Sequence, residues 1–340
     1  NSLEDQTLER VKHFCLAAKS SARCGLAADL VMTRGPRRCI IFVSTKKECE
    51  DVAAELSRQL LFSAQVAPLH GDMSQPSRAR TIATFRSSTE PMTSWQRILV
   101  ATDVAARGLD VPQVDLVLQF GVPRKEGKEG TINAELYTHR VGRAARRENT
   151  HRTGAMIQSE AAKAPPAAVM MYDPTSGEVK LLKPLRAELP PNLALTQLNP
   201  PSATDVADAA FAKAIDVCSA VESDSTTELV ERFRSKINGP LAKKGGEGDD
   251  MSDKLLAQAL VALSGLRTMP APRSLLTGDP GDRTIQVSTV LDREEEEEGV
   301  SHGLDPKEVT QFCKTVLGSG KMSRITILPD GSGVFDLPLK

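Results

Sequence analysis

Two short runs of the sequence carry the side chains that could act on phosphate groups. Residues 98–111 are an apolar segment that ends in polar and charged positions, and residues 139–146 contain Arg140, Arg143 and Arg146 at a spacing of three. Residues three apart share one face of a helix, and arginine offers a planar fork that matches phosphate oxygens. The pattern therefore indicates binding of a polyanion, and the alternative is a solvated helix face without a ligand.

The elements that would position these runs alternate between apolar strands and helices. Apolar runs predict strands at 39–43, 66–69, 98–101 and 116–120, and helical spacing predicts helices at 46–61 and 77–85. Continuous apolar strands separated by helices are typical of an α/β fold with a parallel sheet covered on both faces. In such sheets the functional groups lie at the carboxyl ends of the strands. The sequence predicts this fold class for residues 1–158.

The composition narrows the classes of function. The net charge of −1 means that any basic surface is local, and the 4% aromatic content argues against binding by stacked bases. The six cysteines have no spacing typical of a metal site, so we interpret them as reduced thiols and expect no metal ligands. No apolar run approaches the ~20 residues that span a bilayer, so we expect no membrane partner.

Three further segments follow the first domain. Prolines in residues 159–204 predict a connector with an edge strand, residues 205–267 are helical, and residues 284–340 predict a strand, a helix and a hairpin. Ser202 is expected to cap the helix that follows it. One stripe of the helical segment is too apolar for a short bundle to hide: Leu255, Leu256, Ala259, Leu260 and Leu263. This stripe predicts a two-fold homodimer, and packing on the first domain is the alternative.

With these residues in view, the first domain resembles the second RecA-like domain of DEAD-box ATP-dependent RNA helicases. Residues 40–45 (IIFVST) resemble motif IV, and residues 70–78 resemble the Gln-x-x-Arg segment. Residues 101–110 resemble motif V, and residues 139–146 resemble motif VI, with Ala144 and Ala145 where the family often has Thr-Gly. The resemblance implies a RecA-like sheet and local unwinding of RNA duplexes.

The resemblance also assigns roles on a nucleotide side. Arg143 and Arg146 match arginine fingers, which are catalytic because they stabilise the charge of the phosphoryl-transfer transition state. Gly108 and Asp110 complete the ATP-binding set, with Asp110 accepting a hydrogen bond from the ribose. ATP would act with Mg²⁺, whose ligands lie in the first helicase domain of the family.

A second set of matched positions concerns RNA. Four positions match residues that hold RNA phosphates: Thr45, Gly71, Arg78 and Thr102. Contacts to phosphate carry no sequence information, so the expected RNA binding is largely independent of sequence. Three positions match residues that couple the RNA and ATP faces: Asp103, Arg107 and His139. Phe42 is expected to be a core residue that could also brace the arginines.

The sequence contains neither a phosphate-binding P-loop nor an Asp-Glu-Ala-Asp run. We therefore expect a fragment that is inactive alone and belongs to a longer helicase with a first domain upstream. The alternative function is a non-catalytic RNA-binding scaffold that keeps half of a helicase. Arg143, Arg146 and Asp110 favour the enzyme, since a scaffold has no use for an ATP-facing set.

The C-terminal segments point to one branch of the helicase family. Residues 199–204 and 331–338 are similar to the nucleolar RNA helicase II (Gu) branch. That branch implies a helical dimerisation module at 205–267 and an RNA-recognition-like Gu C-terminal domain at 284–340, which we expect to be truncated. It also implies ribosome biogenesis in the nucleolus, with the mitochondrion or chloroplast as alternatives.

Overall fold

The larger of two sheets has seven strands. The computed structural model describes residues 8–60, 63–87, 96–106, 114–125, 131–144, 165–190, 193–219, 248–264, 266, 269–288, 304–316, 322, 325–327 and 332–338. The strands are β1 (Lys12–Ala17), β2 (Arg38–Val43), β3 (Ala64–Leu69), β4 (Gln96–Thr102), β5 (Leu116–Phe120), β6 (Ala167–Tyr172) and β7 (Thr196–Leu198). Every pairing is parallel, in the order β3-β4-β2-β5-β6-β1-β7.

Helices cover both faces of this sheet, and they follow the strands along the chain. They are α1 (Arg23–Arg34), α2 (Lys46–Gln59), α3 (Gln75–Arg86), α4 (Asp103–Ala106), α5 (Ala134–Val141) and α6 (Val179–Glu188). Successive β2 side chains alternate between two cores, since Ile40 and Phe42 pack with α5 and α6 while Ile41 packs with α1 and α2. The predicted α/β fold class, a parallel sheet with helices on both faces, is confirmed.

The boundary expected at residue 158 differs from the structure, because the sheet continues through the segment interpreted as a connector. Strand β6 lies between β5 and β1, with Ala167 paired to both Lys12 and Leu116. The prolines of this segment flank the apolar run AAVMMY instead of interrupting it, and Pro184 lies within α6. Strand β7 is an edge strand beside β1.

A pair of helices follows the sheet. Helices α7 (Ala203–Ser219) and α8 (Gly248–Ser264) contact each other, and α7 also packs on α1. Ser202 caps α7 as predicted, because its hydroxyl accepts from the Asp205 amide at 3.1 Å and its own amide donates to the Asp205 carboxylate. Along α7, Ala210 is buried, whereas Phe211 and Ile215 are exposed.

A smaller antiparallel sheet ends the chain. It contains β8 (Asp282–Val287), β9 (Thr326–Ile327) and β10 (Gly333–Pro338) in the order β8-β10-β9, and α9 (Pro306–Val316) covers it. Its small core contains Val309, Cys313 and Phe335. The predicted strand, helix and hairpin of this region agree with these elements. Among the described helices, none combines the length and apolar character that a membrane crossing requires.

Residues 270–281, here called the linking segment, fasten the small sheet to the large one. Arg273 Nε donates to Asp29 Oδ2 on α1 at 2.5 Å, and Lys19 forms an ion pair with Asp279. Asp336 on β10 accepts from the Ser274 hydroxyl of the linking segment at 2.7 Å. The two sheets are therefore joined by charged and polar contacts as well as by the chain.

Candidate functional site

The predicted site residues cluster where parallel strands end. Thr102 is the last residue of β4, Thr45 follows β2, and Gly71 follows β3. These three strands are adjacent in the sheet and run in one direction, so their carboxyl ends form one edge. The structure thus brings together positions from three separate sequence segments, as the parallel-sheet interpretation requires.

The Thr45 hydroxyl can accept one hydrogen bond within the protein and donate another to a ligand. Thr45 is the N-cap of α2, and its Oγ1 accepts a hydrogen bond from the Glu48 amide at 3.1 Å. The Glu48 carboxylate in turn accepts from the Ser44 amide at 2.9 Å. Because a hydroxyl both donates and accepts, the Thr45 proton remains able to donate to a ligand oxygen on the exposed side.

The loop after β3 is tied to α2 and leaves Gly71 open. His70 is buried, and its Nε2 lies 3.1 Å from Oε1 of Glu50. Lys46 donates to Asp72 at 2.5 Å and thereby lowers the pKa of Asp72. No atom of the described residues lies within 4 Å of where a Gly71 side chain would begin. The backbone at Gly71 is therefore accessible to a bulky polyanion.

Arg78 and Asp103 connect helices at this edge. Arg78, on α3, donates from Nη2 to the Ala105 carbonyl at 2.8 Å, which joins α3 to α4. Helix α4 begins at Asp103, directly after the buried Thr102. One of the five guanidinium donors of Arg78 is thus used inside the protein. The same contact holds Arg78 close to the end of β4.

Arg140 forms the best-defined polar contact of the edge. Its Nε and Nη2 donate to Oδ1 and Oδ2 of Asp103 at 2.7 and 2.8 Å, and its guanidinium carbon lies 5.3 Å from the ring centroid of Phe42. Phe42 is 2% exposed, so it belongs to the core and also braces an arginine. Such a two-pronged pair fixes geometry as well as charge.

Arg140 and Arg143 do not share one helix face, contrary to the expectation from their spacing. Helix α5 ends at Val141, with Gly142 as its C-cap, and Arg143 lies in the turn that follows. In this turn the Arg143 amide donates to the Arg140 carbonyl at 3.2 Å, which is a tighter pattern than the α-helix. Arg140 is buried at 5% exposure and binds a carboxylate, so it is not a phosphate ligand here.

His139 lies on the exposed side of α5. Its side chain is 62% exposed, and Nε2 lies 3.9 Å from Oε1 of Glu135 one turn earlier. The remaining predicted site residues lie outside the described residues: Arg107, Gly108, Asp110 and Arg146. Within the described part of the chain, no group of three or more His, Cys, Asp or Glu side chains could hold a metal ion.

Sequence reasoning missed Gln119, which also belongs to this edge. Gln119 lies in β5 and is fully buried, and its Oε1 accepts from Nη1 of Arg140 at 3.2 Å. The signal was present, because Gln119 is the one polar residue in the apolar run LVLQF. A lone polar side chain in a buried strand requires a partner.

The comparison with known proteins agrees with this geometry. Residues 23–148 match the family model described as the helicase conserved C-terminal domain. Residues 23–148 are thus similar to a helicase C-terminal domain. The matched region spans α1 to the turn that carries Arg143, and so includes the whole edge described above.

Relatives extend the likeness beyond the helicase C-terminal domain. The chain is 28% identical to DEAD-box ATP-dependent RNA helicase 3B, chloroplastic, of Zea mays over 98% of its own length and 39% of that protein. It is 29% identical to nucleolar RNA helicase 2-B of Xenopus laevis over 96% of its own length and 34% of that protein. It is 40% identical to DEAD-box ATP-dependent RNA helicase 9, mitochondrial, of Arabidopsis thaliana over 42% of its own length and 21% of that protein. The chain thus spans about two fifths of these relatives, or less.

Proposed function

We propose that this chain is the C-terminal part of a DEAD-box ATP-dependent RNA helicase that unwinds short RNA duplexes. The observation that carries the proposal is the meeting of Thr45, Gly71 and Thr102 at one edge of the region that matches the helicase C-terminal domain, where Arg140 binds Asp103. The names of the relatives support an RNA substrate and the use of ATP.

On the RNA side, the protein would bind the phosphate backbone. Thr45 offers a hydroxyl, Gly71 offers accessible backbone, and Arg78 has further donor positions besides the one that binds Ala105. Thr102 is buried at the same edge and adjoins Asp103, which is held by Arg140. These groups recognise phosphate and sugar, which are identical for every base, so the binding would be independent of sequence.

On the nucleotide side, Arg143 and Arg146 would approach the γ-phosphate, Asp110 would accept a hydrogen bond from the ribose, and Gly108 would let the backbone come close to the nucleotide. Bound ATP with Mg²⁺ would supply a transferable phosphoryl group, and the metal ligands would come from a first helicase domain. Asp103, Arg107 and His139 would couple this side to RNA. Without that first domain, the chain would neither bind ATP tightly nor hydrolyse it.

The test joins the chain to the first helicase domain of the maize chloroplast relative and measures ATP hydrolysis with and without RNA. We expect RNA-stimulated turnover in the fusion and none in the chain alone. Arg143→Ala and Arg146→Ala should each lower turnover by about 10³-fold or more, as for arginine fingers elsewhere. Arg37→Ala, an exposed residue just before β2 at the opposite edge, is the control.

The alternative function gives a different outcome in the same experiment. A fusion that binds RNA but hydrolyses ATP no faster when RNA is added would favour a non-catalytic RNA-binding scaffold. Normal turnover after both arginine substitutions would remove the finger assignment while leaving the helicase assignment in place.

We further propose that the segment 205–267 mediates a homodimer. Apolar side chains on α7 and α8 remain exposed although the helices contact each other and α7 packs on α1: Phe211, Ile215, Leu256 and Val261. A two-fold pairing would cover them on both copies. Light scattering at micromolar concentration should give twice the chain mass, and Phe211→Glu with Leu256→Glu should halve it. A monomer mass for the unsubstituted chain would contradict the dimer.

We also propose membership of the Gu branch for the whole chain, with residues 284–340 as its RNA-recognition-like domain. The small sheet with α9 on one face is consistent with such a domain. The match to a nucleolar helicase over nearly all of the chain supports nucleolar work on ribosome assembly, and the organellar relatives define the alternatives. Imaging of a fluorescent fusion of the natural protein would decide the compartment.

A further inference from the structure

Gln119 is a buried amide whose presence packing alone does not explain. Its side chain is fully buried in the central strand β5, where neighbouring residues are apolar. Its Oε1 accepts from Nη1 of Arg140 at 3.2 Å, but its Nε2 has no hydrogen-bond partner among the described residues. A buried donor without a partner destabilises a protein. A leucine of similar size would avoid this cost.

The contact partner of Gln119 connects both sides of the site. Arg140 grips Asp103, which directly follows Thr102 at the end of β4. The carbonyl of Arg140 also accepts the amide of Arg143, in the turn after α5. Through its side chain and its carbonyl, Arg140 therefore connects Asp103, beside a residue proposed for RNA, with Arg143, which is proposed for ATP.

Three groups hold that guanidinium, each from a different direction. Asp103 binds Nε and Nη2, the Phe42 ring lies against the guanidinium, and Gln119 binds Nη1. Asp103 alone leaves Nη1 without an acceptor, because the carboxylate occupies only one edge of the fork. Gln119 supplies this acceptor from β5, a strand that carries none of the other predicted site residues.

We propose that Gln119 is a positioning residue, which fixes the Arg140 guanidinium so that Asp103 and the Arg143 turn keep one relative placement. The catalytic consequence rests on the proposed helicase function. The positioning itself concerns only residues of this chain, and can be tested without ATP or RNA.

The first experiment uses the 340-residue chain and follows the side-chain Nε–H signal of Arg140 by NMR, together with thermal unfolding. In Gln119→Leu we expect the Arg140 Nε–H to exchange with solvent at least about tenfold faster, while the melting temperature changes little, because removal of the unpaired Nε2 offsets the loss of the acceptor for Arg140 Nη1. An unchanged Arg140 signal in a folded Gln119→Leu protein would overturn the proposal.

Gln96 provides a matched control. It is also a buried glutamine with one unpartnered side-chain atom, but it lies at the start of β4 and donates to the Val31 carbonyl at 3.1 Å. Gln96→Leu should leave the Arg140 signal unchanged. A change as large as that of Gln119→Leu would mean that any core substitution disturbs Arg140, and would overturn a specific role for Gln119.

The second experiment uses the fusion with a first helicase domain. Gln119→Leu should lower kcat of RNA-stimulated hydrolysis about tenfold or more and change the RNA concentration for half-stimulation less than twofold. Gln119→Glu keeps an acceptor for Arg140, so it should recover much of kcat although its buried charge lowers the melting temperature. If Gln119 had a purely structural role, kcat and the melting temperature would fall together in both variants. That result would contradict positioning.

The two proposals fail separately. If the unsubstituted fusion shows no RNA-stimulated hydrolysis, the proposed helicase function fails, and the Arg140 signal alone decides the role of Gln119. If the fusion is active and Gln119→Leu keeps full kcat, the positioning role fails while the helicase function stands.

Discussion

Nε of Arg273, in the linking segment, donates to Oδ2 of Asp29 on α1 at 2.5 Å, and both side chains are about 15% exposed. Burial raises the pKa of Asp29, and Arg273 counters this rise. We predict that Arg273→Gln lowers stability at pH 7 by about 1–3 kcal/mol, because a buried carboxylate loses its charged partner. Chemical unfolding measures this loss.

The stability lost in Arg273→Gln should depend on pH, because burial raises the folded-state pKa of Asp29. A carboxylic acid whose folded-state pKa is raised costs nothing below its unfolded-state pKa, and its cost grows as the pH rises through the folded-state pKa. The difference between Arg273→Gln and the parent should therefore shrink as the pH falls toward 4. Adding Asp29→Asn should recover stability at pH 7, and a double variant no better than Arg273→Gln would contradict the pairing.

Two glycines of the linking segment form a matched pair. Gly278 has φ +75° and Gly281 has φ +84°, so alanine at either position carries left-handed strain of about 1–2 kcal/mol. At Gly278 a Cβ would also overlap Leu26 Cδ1 and lie 3.3 Å from the Ala17 carbonyl, whereas at Gly281 no atom of the described residues lies within 4 Å. We predict that Gly278→Ala lowers the melting temperature clearly more than Gly281→Ala does. Equal shifts would show that the close approach to α1 is unimportant.

Acid stability should depend on Asp173, which is buried after β6. Burial works to raise its pKa, but hydrogen bonds from Thr175 and Ser20 outweigh this effect and lower the pKa to about 2. A depressed folded-state pKa stabilises above the unfolded-state pKa, and the benefit is lost as the pH falls toward 2. Asp173→Asn should cost about 2 kcal/mol at pH 6 and progressively less between pH 4 and 2. A pH-independent difference in unfolding free energy would contradict this cause.

Substitutions at Thr45 should separate helix capping from RNA binding. Asp is as good an N-cap as Thr, so Thr45→Asp should keep the melting temperature within a few degrees. It lacks a donor and adds negative charge, so RNA affinity should fall by more than tenfold in fluorescence anisotropy. Thr45→Ser should preserve both properties. RNA affinity unaffected by Thr45→Asp would place the RNA elsewhere.

Arg78 should contribute to RNA binding without reading bases. We predict that Arg78→Ala weakens all RNA sequences about equally and lowers the slope of log affinity against log salt by about 1. Arg80→Ala, exposed on the same helix, tests for a general loss of positive charge. A loss confined to particular sequences would point to base contacts at this position instead.

The central sheet could be predicted because β2, β4 and β5 consist mainly of apolar residues, as is typical of strands buried on both faces. Strand β1 is less visible because Lys12 and His13 stand at its start. His13 is accommodated by a hydrogen bond to Tyr137 at 3.0 Å, and burial lowers the pKa of His13. Only the tertiary structure provides that partner, so the sequence pattern alone could not show it.

The sequence was sufficient to predict the residue types of the site, but not how those residues are arranged. Spacing of three suggested one helix for the arginines, but Gly142 ends α5 between Arg140 and Arg143. The two arginines also differ in their tertiary contacts, since Arg140 binds the carboxylate of Asp103 on α4, which is 37 residues away in sequence. Gln119 escaped prediction for the same reason, because its role depends on a partner from another element.

The position of β1 between β6 and β7 has a consequence for biosynthesis. Its residue Lys12 pairs with Ala167, and Phe14 pairs with Thr196, whereas β2 to β5 all lie within residues 38–120. At synthesis rates of about 5–20 residues per second, β1 leaves the ribosome on the order of 10–30 s before either neighbour. During that interval we expect Cys15 and Leu16, fully buried in the finished protein, to need shielding by a chaperone or by non-native contacts. Among the described strands of the large sheet, β1 is synthesised first and β7 last, yet the two are neighbours in the finished sheet.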